Sequence, residues 1–339
     1  MTIPMSVILE TLARGEDLAP EQAEEAFGAL MQGELSPAQA GALLMGLRAK
    51  GEKPAEVAAA VRATLRHSRM VPGLSGTRID TVGTGGDNTS SFNCSTTTAL
   101  YLAAMGHTVV KHGNRALSST CGSADAVEGL GLPLGLEPGE VAAELAARNF
   151  VFLFAPNYHP AFKHVMPIRR ELGVRTLFNI MGPLLNPARP THLLVGSAMP
   201  QLLDLMAEVL LLGGVTRAAV IHGARGFDEL TPFGTSEVVW VRNGTTERGE
   251  IDPLALGIKP CEPKDVAVRD KEEAVAVLRE LLCGKGPRAM REMLALNLGM
   301  CLFILEQAPD LTGAVALARD AVASGAAERF AHLDAPTGA

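Results

Sequence analysis

The run Ile79-Asp-Thr-Val-Gly83-Thr84-Gly85-Gly86-Asp87 decides the fold class of this 339-residue chain. The stretch over 78–82 predicts a β-strand, and the stretch over 95–105 predicts a helix. Three glycines between them allow positive φ angles and let the backbone approach a ligand closely. A strand, a glycine-rich turn and a helix in this order are typical of one unit of a parallel α/β sheet.

The same alternation continues along the chain. Further strands are predicted over 108–112, 150–154, 192–198, 217–222 and 237–241, with helical stretches between most of them. Helices resume from about 270 to 330. This pattern predicts a large α/β domain with a mostly parallel central sheet.

The region before the first strand has a helical pattern instead. Ser36 and Pro37 form a helix start, Gly51 suits a helix end, and Pro54 opens another helix. Residues 71–77 form a linker by composition. We therefore expect a small helical domain over 1–70, joined by part of 159–190, and an α/β domain over 71–339.

The composition excludes several classes of protein. The net charge is −7, whereas a nucleic-acid-binding domain is usually basic. No apolar run approaches the roughly 18 residues of a membrane span. The cysteine number is odd, five, and no C-x-x-C pair occurs, so neither a disulfide framework nor a structural zinc site is expected. These features predict a cytoplasmic protein that binds neither nucleic acid nor membrane.

Two loops have the residues of phosphate-binding sites. The first runs from Gly83 to Thr96 and opens a helix, where backbone N–H groups suit phosphate oxygens. The second begins at Lys111 and combines two cations with glycine and hydroxyl groups. Both follow predicted strands, and ligands of open α/β sheets bind at the carboxyl ends of strands. A turn without a ligand and a solvated basic turn are the alternatives.

Acidic and basic side chains complete the set of candidate residues. Asp228 and Glu229 follow a strand of the same sheet, and Mg²⁺ takes carboxylates together with substrate phosphates. Arg169, Arg170 and Arg175 suit a planar carboxylate because a guanidinium can bond both oxygens. A surface acidic pair and structural salt bridges are the alternatives.

These clusters, in this order and spacing, resemble the anthranilate phosphoribosyltransferase family. The matching motifs are G-T-G-G-D at 83–87, N-C-S-T at 93–96, K-H-G-N-R at 111–115 and R-R-E-L-G-V-R-T-L-F-N-I-M-G-P-L-L-N-P at 169–187. The resemblance implies transfer of phosphoribose from phosphoribosyl diphosphate to the amino group of anthranilate, in tryptophan biosynthesis. It also implies Mg²⁺, a homodimer through the helical domain, and the nucleoside phosphorylase/phosphoribosyltransferase type of fold.

The resemblance assigns roles residue by residue. The residues implied to hold phosphoribosyl diphosphate are Gly83, Gly86, Asp87, Ser91, Asn93, Cys94, Ser95, Thr96, Lys111, His112, Gly113, Asn114, Arg115, Ser118, Ser119 and Ser123. Those implied to contact anthranilate are Gly83, Asn114 and Arg169, and those implied to hold two magnesium ions are Ser95, Asp228 and Glu229. No catalytic base is assigned, because the aryl amine is already neutral at pH 7. Ser91 stands where threonine is common, and Cys94 where an aliphatic residue is common.

Three other functions are considered. A pyrimidine nucleoside phosphorylase has the same fold but carries a Lys-x-Ser-Gly-Arg type of loop, unlike the sequence at 111–115. The other large phosphoribosyltransferase class begins its loop with two adjacent acids, which 79–81 lacks. A non-catalytic sensor of the sugar diphosphate is the third, and the intact Asp228, Glu229 and Arg169 argue against it.

Overall fold

The structure is a computed structural model that describes residues 3–86, 89–115 and 121–333. Four helices come first: α1 (Met5–Ala13), α2 (Pro20–Gln32), α3 (Pro37–Lys50) and α4 (Pro54–Arg66). The last three begin with proline, whose missing N–H is not needed in a first turn. At α3 the Ser36 hydroxyl accepts a bond from Gln39 N at 3.3 Å, and Gln39 Oε1 accepts one from Ser36 N at 3.0 Å. Ser36, Pro37 and Pro54 therefore begin helices as predicted.

A seven-stranded sheet follows the helical region. Its strands are β1 (Ile79–Gly83), β2 (Val109–Gly113), β3 (Phe150–Phe154), β4 (His192–Gly196), β5 (Arg217–His222), β6 (Ser236–Arg242) and β7 (Thr245–Ile251). The spatial order is β3-β2-β1-β4-β5-β6-β7. Strands β1 to β5 run parallel to one another. β6 pairs with β5 in the antiparallel direction, and β7 pairs with β6 in the antiparallel direction. Because β1 lies between β2 and β4, its carboxyl end borders the ends of both.

The remaining helices pack against this sheet, against one another or against the N-terminal helices. They are α5 (Cys94–Ala104), α6 (Ser123–Gly129), α7 (Val141–Arg148), α8 (Ala155–Tyr158), α9 (Phe162–Leu172), α10 (Phe178–Met181), α11 (Leu203–Leu212), α12 (Lys271–Leu282), α13 (Arg288–Ile304) and α14 (Leu311–Ser324). α13 is buried along most of its length, between α5 and α14. The described segments contain no helix with the length and apolar character that crossing a bilayer requires.

Part of the segment 159–190 packs on the N-terminal helices. The Phe178 ring lies 6.1 Å from that of Phe27 and 5.5 Å from that of Phe162, measured between centroids. Val165 and Leu177 belong to the same buried cluster as the cores of α1–α4. We propose that 1–70 and part of 159–190 form one helical domain, and that 71–339 forms the α/β domain. A fragment ending at residue 70 that folds by itself would contradict the shared core.

The sequence analysis missed β7. Asn243 and Gly244 separate β6 from β7 and have φ values of 53° and 74°, which suits the two-residue hairpin turn that favours Asn-Gly. β7 is a mostly exposed edge strand with the sequence TTERGEI, so it has no apolar alternation. The Asn-Gly pair was the available signal.

Candidate active site

Three glycines bring the acidic pair against the sheet. Gly83 and Gly196 are register partners at the ends of β1 and β4. A Cβ on Gly83 would lie 2.2 Å from Asp228 Oδ2, and one on Gly196 would lie 1.5 Å from the Asp228 carbonyl oxygen. A Cβ on Gly223 would lie 1.9 Å from the Glu229 carbonyl oxygen. Real Cβ atoms essentially never approach other atoms this closely. The loop that carries Asp228 and Glu229, called the acidic loop below, can therefore lie here only against glycine.

The space beside this contact is a small cavity that opens to solvent. It is lined by Gly83, Ser95, Asp228, Glu229 and Asn297, among others. These residues come from β1, α5, the acidic loop and α13. The three side chains predicted from the resemblance to hold metal therefore lie around one cavity.

Neighbouring loops hold the acidic pair in place. Gly85 N donates to Asp228 Oδ2 at 2.9 Å, and Ser91 Oγ donates to Glu229 Oε2 at 3.2 Å. Asn297 binds the main chain of Leu230: its Nδ2 donates to the carbonyl oxygen at 2.8 Å, and its Oδ1 accepts from the N–H at 3.1 Å. The pair is thus bonded to the glycine-rich loop, and α13 holds the residue that follows it.

Lys111 is a buried cation beside this cavity. Its Nζ donates to the Thr81 carbonyl oxygen at 2.6 Å and to Ser95 Oγ at 3.4 Å. Burial lowers the pKa of Lys111, and the nearby carboxylates Asp80 and Glu229 oppose that shift. Burial also raises the pKa of Asp80 to about 6, and Lys111 opposes that shift. The two buried groups favour the charged forms of each other.

The His112 side chain points in another direction. Successive strand residues face opposite sides of a sheet, so His112 is turned away from the face that Lys111 occupies. Its Nε2 lies 3.1 Å from His159 Nε2, and His159 Nδ1 lies 2.7 Å from Ser68 Oγ. Burial lowers the pKa of His112, and it lowers that of His159 to about 4. This neutral pair links β2 to the end of the helical region.

The chain after β2 turns beside the start of α6. Ser123 Oγ donates to the Asn114 carbonyl oxygen at 3.3 Å. A Cβ on Gly113 would lie 2.3 Å from Ser123 Oγ, so the absence of a side chain at Gly113 makes room for the Ser123 hydroxyl. The Asn114 side chain is exposed apart from a bond from Arg115 N to its Oδ1 at 2.8 Å.

Arg115 is already paired with carboxylates. Its Nη1 lies 2.9 Å from Asp125 Oδ1 and 2.8 Å from Glu128 Oε2. Lys271 Nζ lies 3.1 Å from Asp125 Oδ1, so two cations share these acids. Arg115 bonds Glu128 through both Nη atoms, and the Asp125 side chain is mostly buried.

The start of α5 and the loop before it supply polar groups beside the cavity. Gly85 and Gly86 precede it with φ values of 64° and 77°, as the glycine-rich loop predicts. Asn93 Nδ2 donates to the Cys121 carbonyl oxygen at 3.0 Å. Cys94 and Thr96, in the first turn of this helix, are fully buried, with their main-chain atoms included.

The arginines of 169–175 differ in their surroundings. Arg169 is partly buried, with its guanidinium carbon 5.5 Å from the centre of the Phe178 ring, and its Nη2 donates to Asn179 Oδ1 at 3.4 Å. Burial lowers the pKa of Arg169. Arg170 is exposed. Arg175 Nη2 lies 3.5 Å from the position that a Cβ on Gly86 would occupy, beside the glycine-rich loop.

Both parts of the chain match described families. Residues 6–68 match the glycosyl transferase family, helical bundle domain, and residues 75–328 match the glycosyl transferase family, a/b domain. An anthranilate phosphoribosyltransferase of Nitratidesulfovibrio vulgaris is 60% identical over 337 residues, covering 98% of this chain and 100% of the relative. Another, from Oleidesulfovibrio alaskensis, is 60% identical over 319 residues, covering 94% of this chain and 96% of the relative. The chain belongs to the anthranilate phosphoribosyltransferase family.

Solved structures agree with this assignment. The anthranilate phosphoribosyltransferase of Thermus thermophilus superposes with a TM-score of 0.89 at 40% identity, covering 95% of this chain and 96% of that one. The Saccharomyces cerevisiae enzyme, in complex with PRPP and Mg, has a TM-score of 0.87 at 24% identity, covering 96% and 95%. The likeness to the yeast enzyme shows the fold alone.

Three of the predicted site residues lie in segments that the structure does not describe, and three residues around the acidic pair were not predicted. Asp87, Ser118 and Ser119 lie outside the described residues. Gly196, Gly223 and Asn297 border the acidic loop but were not predicted. The available signals were a glycine at or just after each of two strand ends, and a single amide within the apolar helix sequence LALNLGMCLF.

Proposed function

We propose that this chain transfers the phosphoribosyl group of phosphoribosyl diphosphate to the amino group of anthranilate, giving N-(5-phosphoribosyl)anthranilate and diphosphate in tryptophan biosynthesis. The observation that carries the proposal is the cavity where Gly83 and Ser95 meet Asp228 and Glu229. It lies at the carboxyl ends of central strands, where open α/β sheets bind their ligands. Membership of the anthranilate phosphoribosyltransferase family supports the choice of substrates.

The sugar diphosphate would bind along the two loops that border this cavity. The main-chain N–H group of Gly86 and those at the start of α5 suit its phosphate oxygens. The residues proposed to contact it are Gly83, Gly86, Asp87, Ser91, Asn93, Cys94, Ser95, Thr96, Lys111, Gly113, Asn114, Arg115, Ser118, Ser119 and Ser123. Arg115 would exchange its carboxylate partners for phosphate. His112 would support β2 through His159 rather than touch the ligand.

The donor set suits magnesium. Ser95, Asp228 and Glu229 offer only oxygen atoms, and Mg²⁺ prefers oxygen ligands, commonly one or two carboxylates completed by substrate phosphates. We propose that these three residues hold two ions per subunit, as the family resemblance implies. When bound, magnesium supplies neutralisation of the diphosphate charge.

Anthranilate would be held by Gly83, Asn114 and Arg169. Arg169 is suited to its carboxylate because the guanidinium is partly desolvated and oriented over the Phe178 ring. A charge-assisted, two-pronged bond is stronger where water is partly excluded. Arg170 is exposed and would not share this role.

The residues of the chain act by binding and orientation. Diphosphate leaves easily only when donors stabilise the negative charge that develops on it. We propose that Lys111 and the N–H group of Gly86 contribute to this stabilisation. The aryl amine has a free electron pair at neutral pH, so holding it beside the ribosyl carbon replaces the need for a strong base.

We further propose a cytoplasmic homodimer formed through the helical domain. Val7 of α1 and Met45 of α3 are 49% and 37% exposed, and apolar side chains on the outer face of these helices suit contact with a second copy. Light scattering should give twice the monomer mass, and aspartate at both positions should halve it. A monomeric wild-type chain would refute the dimer, and cell fractionation tests the compartment.

Anthranilate consumption tests the function directly. The purified chain with phosphoribosyl diphosphate and Mg²⁺ should remove anthranilate fluorescence and release one diphosphate per anthranilate. Phosphorolysis of thymidine or uridine, the alternative reaction of this fold, should be undetectable. Binding of the sugar diphosphate without turnover would make the chain a sensor and overturn the proposal.

A further inference from the structure

Three metal-ligating side chains meet at the opposite end of the α/β domain. The donor atoms of Cys283, Glu328 and His332 all lie within 4.8 Å of one another. Cys283 Sγ is 3.8 Å from His332 Nε2. No other group of three such side chains is this close within residues 3–86, 89–115 and 121–333. All three are at least partly accessible to solvent, so an ion can reach them.

Close backbone packing holds Cys283 in position. Cys283 ends α12, and Gly284 follows it with a φ of 74°. A Cβ on Gly284 would lie 2.9 Å from Gly325 N, and one on Gly325 would lie 2.7 Å from the Cys283 carbonyl carbon. The main chains after α12 and α14 therefore touch, which only a pair of glycines permits.

The segment that carries the other donors is fastened as well. Glu328 N donates to the Gly325 carbonyl oxygen at 2.9 Å. Arg279 Nη1 donates to the Ala331 carbonyl oxygen at 2.7 Å, directly before His332. The buried Phe330 ring packs against Phe150, 6.2 Å between centroids. The three donors thus project from fixed points, and binding an ion requires only side-chain rotation.

We propose that Cys283, Glu328 and His332 form a binding site for Zn²⁺ or a similar thiolate-seeking divalent ion. Sulfur, imidazole nitrogen and carboxylate oxygen are the donors that zinc prefers, at about 2.0 to 2.3 Å. Tetrahedral bonds of that length place sulfur and nitrogen about 3.6 Å apart, close to the observed 3.8 Å. A water molecule would complete the four-coordinate shell.

The site differs from the proposed magnesium site in chemistry and in place. Magnesium takes oxygen donors, whereas a thiolate selects softer ions. Tyr101, near the end of α5, donates its hydroxyl to the Leu281 carbonyl oxygen at 2.6 Å, which places Cys283 near that end. Ser95 lies six residues before Tyr101 in this helix, about 9 Å along the helix axis at 1.5 Å per residue. The ion would fasten the chain after α14 to the end of α12, remote from the reaction.

Cobalt titration of the untagged, chelator-treated full chain tests the proposal. Co²⁺ bound to a thiolate gives a near-ultraviolet charge-transfer band, which a site with only oxygen donors does not give. One equivalent should produce this band and release about one proton, since the thiol must ionise. Zn²⁺ should abolish the band by displacement and raise the melting temperature. Cys283→Ser should remove the band, and Glu328→Gln and His332→Ala should weaken binding at least about tenfold.

Cys261 provides the matched control. It is also a partly accessible free thiol, but it belongs to no such group of donors among the described residues. Cys261→Ser should retain the cobalt band, and Cys283→Ser should retain magnesium-dependent turnover. The proposal is overturned if the wild-type chain shows no band, or if the band survives in Cys283→Ser.

Discussion

The contact between Gly196 and the acidic loop predicts a sharp effect of one methyl group. In Gly196→Ala the new Cβ would lie 1.5 Å from the Asp228 carbonyl oxygen. Ordinary contacts begin at 3.4 Å, so the loop must retreat by roughly 2 Å because the obstructing atom belongs to the backbone. A misplacement of about 1 Å in a reacting site costs on the order of 100-fold in rate. We therefore expect kcat to fall at least about 100-fold, with a higher Mg²⁺ requirement.

Stability must be measured beside turnover. Overpacking of this kind destabilises by about 1–3 kcal/mol, which lowers the melting temperature by only a few degrees in a chain of this size. Gly139→Ala is the control, since nothing lies within 4 Å of its added Cβ. Gly83→Ala should also impair turnover but disturb the backbone less, because its Cβ meets only the Asp228 carboxylate.

Steady-state anthranilate consumption at several Mg²⁺ concentrations is the assay. Turnover of Gly196→Ala within about twofold of the wild type, with unchanged Mg²⁺ dependence, would refute the reasoning. It would mean that the position of the acidic loop does not govern the reaction.

Three further outcomes are expected. Asp228→Asn should lower turnover roughly a thousand-fold, since several kcal/mol of leaving-group stabilisation are lost; full activity of this variant in chelator would exclude a metal role. Arg169→Ala should raise the anthranilate KM about ten- to a hundred-fold, from a charged bond of about 1.5–3 kcal/mol, while Arg170→Ala should not; the reverse result would move the assignment by one residue. The pKa of His159 is about 4 in the folded chain and about 6.5 unfolded, so its contribution to stability, present above pH 6.5, should be lost as pH falls through 4. The loss in free energy of unfolding is on the order of 3 kcal/mol and can be measured by denaturant titration across this pH range. If the free energy of unfolding of His159→Asn falls with pH as steeply as that of the wild type, the prediction is contradicted.

The pattern of residue types along the chain was sufficient to predict most of the strands. The strands predicted over 78–82 and 108–112 lie within one residue of β1 and β2, because each contains β-branched residues and is followed or ended by glycine. β7 shows the limit of this method. Its side chains face solvent, so only its turn residues Asn243 and Gly244 indicate it.

Contacts between distant residues were beyond the sequence. Arg115 has the residue type of a phosphate ligand, yet it pairs with Asp125 and Glu128 on the next helix. His112 stands beside Lys111 in the sequence, but strand geometry turns it toward His159. In both cases the partner comes from the way that separate elements pack.

By itself, the sequence determined the α/β class, the order of the strands along the chain and the loops that follow them, since periodicity and glycine placement are local properties. Tertiary structure alone decided how those loops fit together. Gly196 and Gly223 make room for Asp228 and Glu229 only because β4 and β5 end beside that loop. Likewise, Cys283 meets His332 only because the ends of α12 and α14 touch. Such proximities depend on how elements pack in three dimensions, and residue spacing along the chain does not specify that packing.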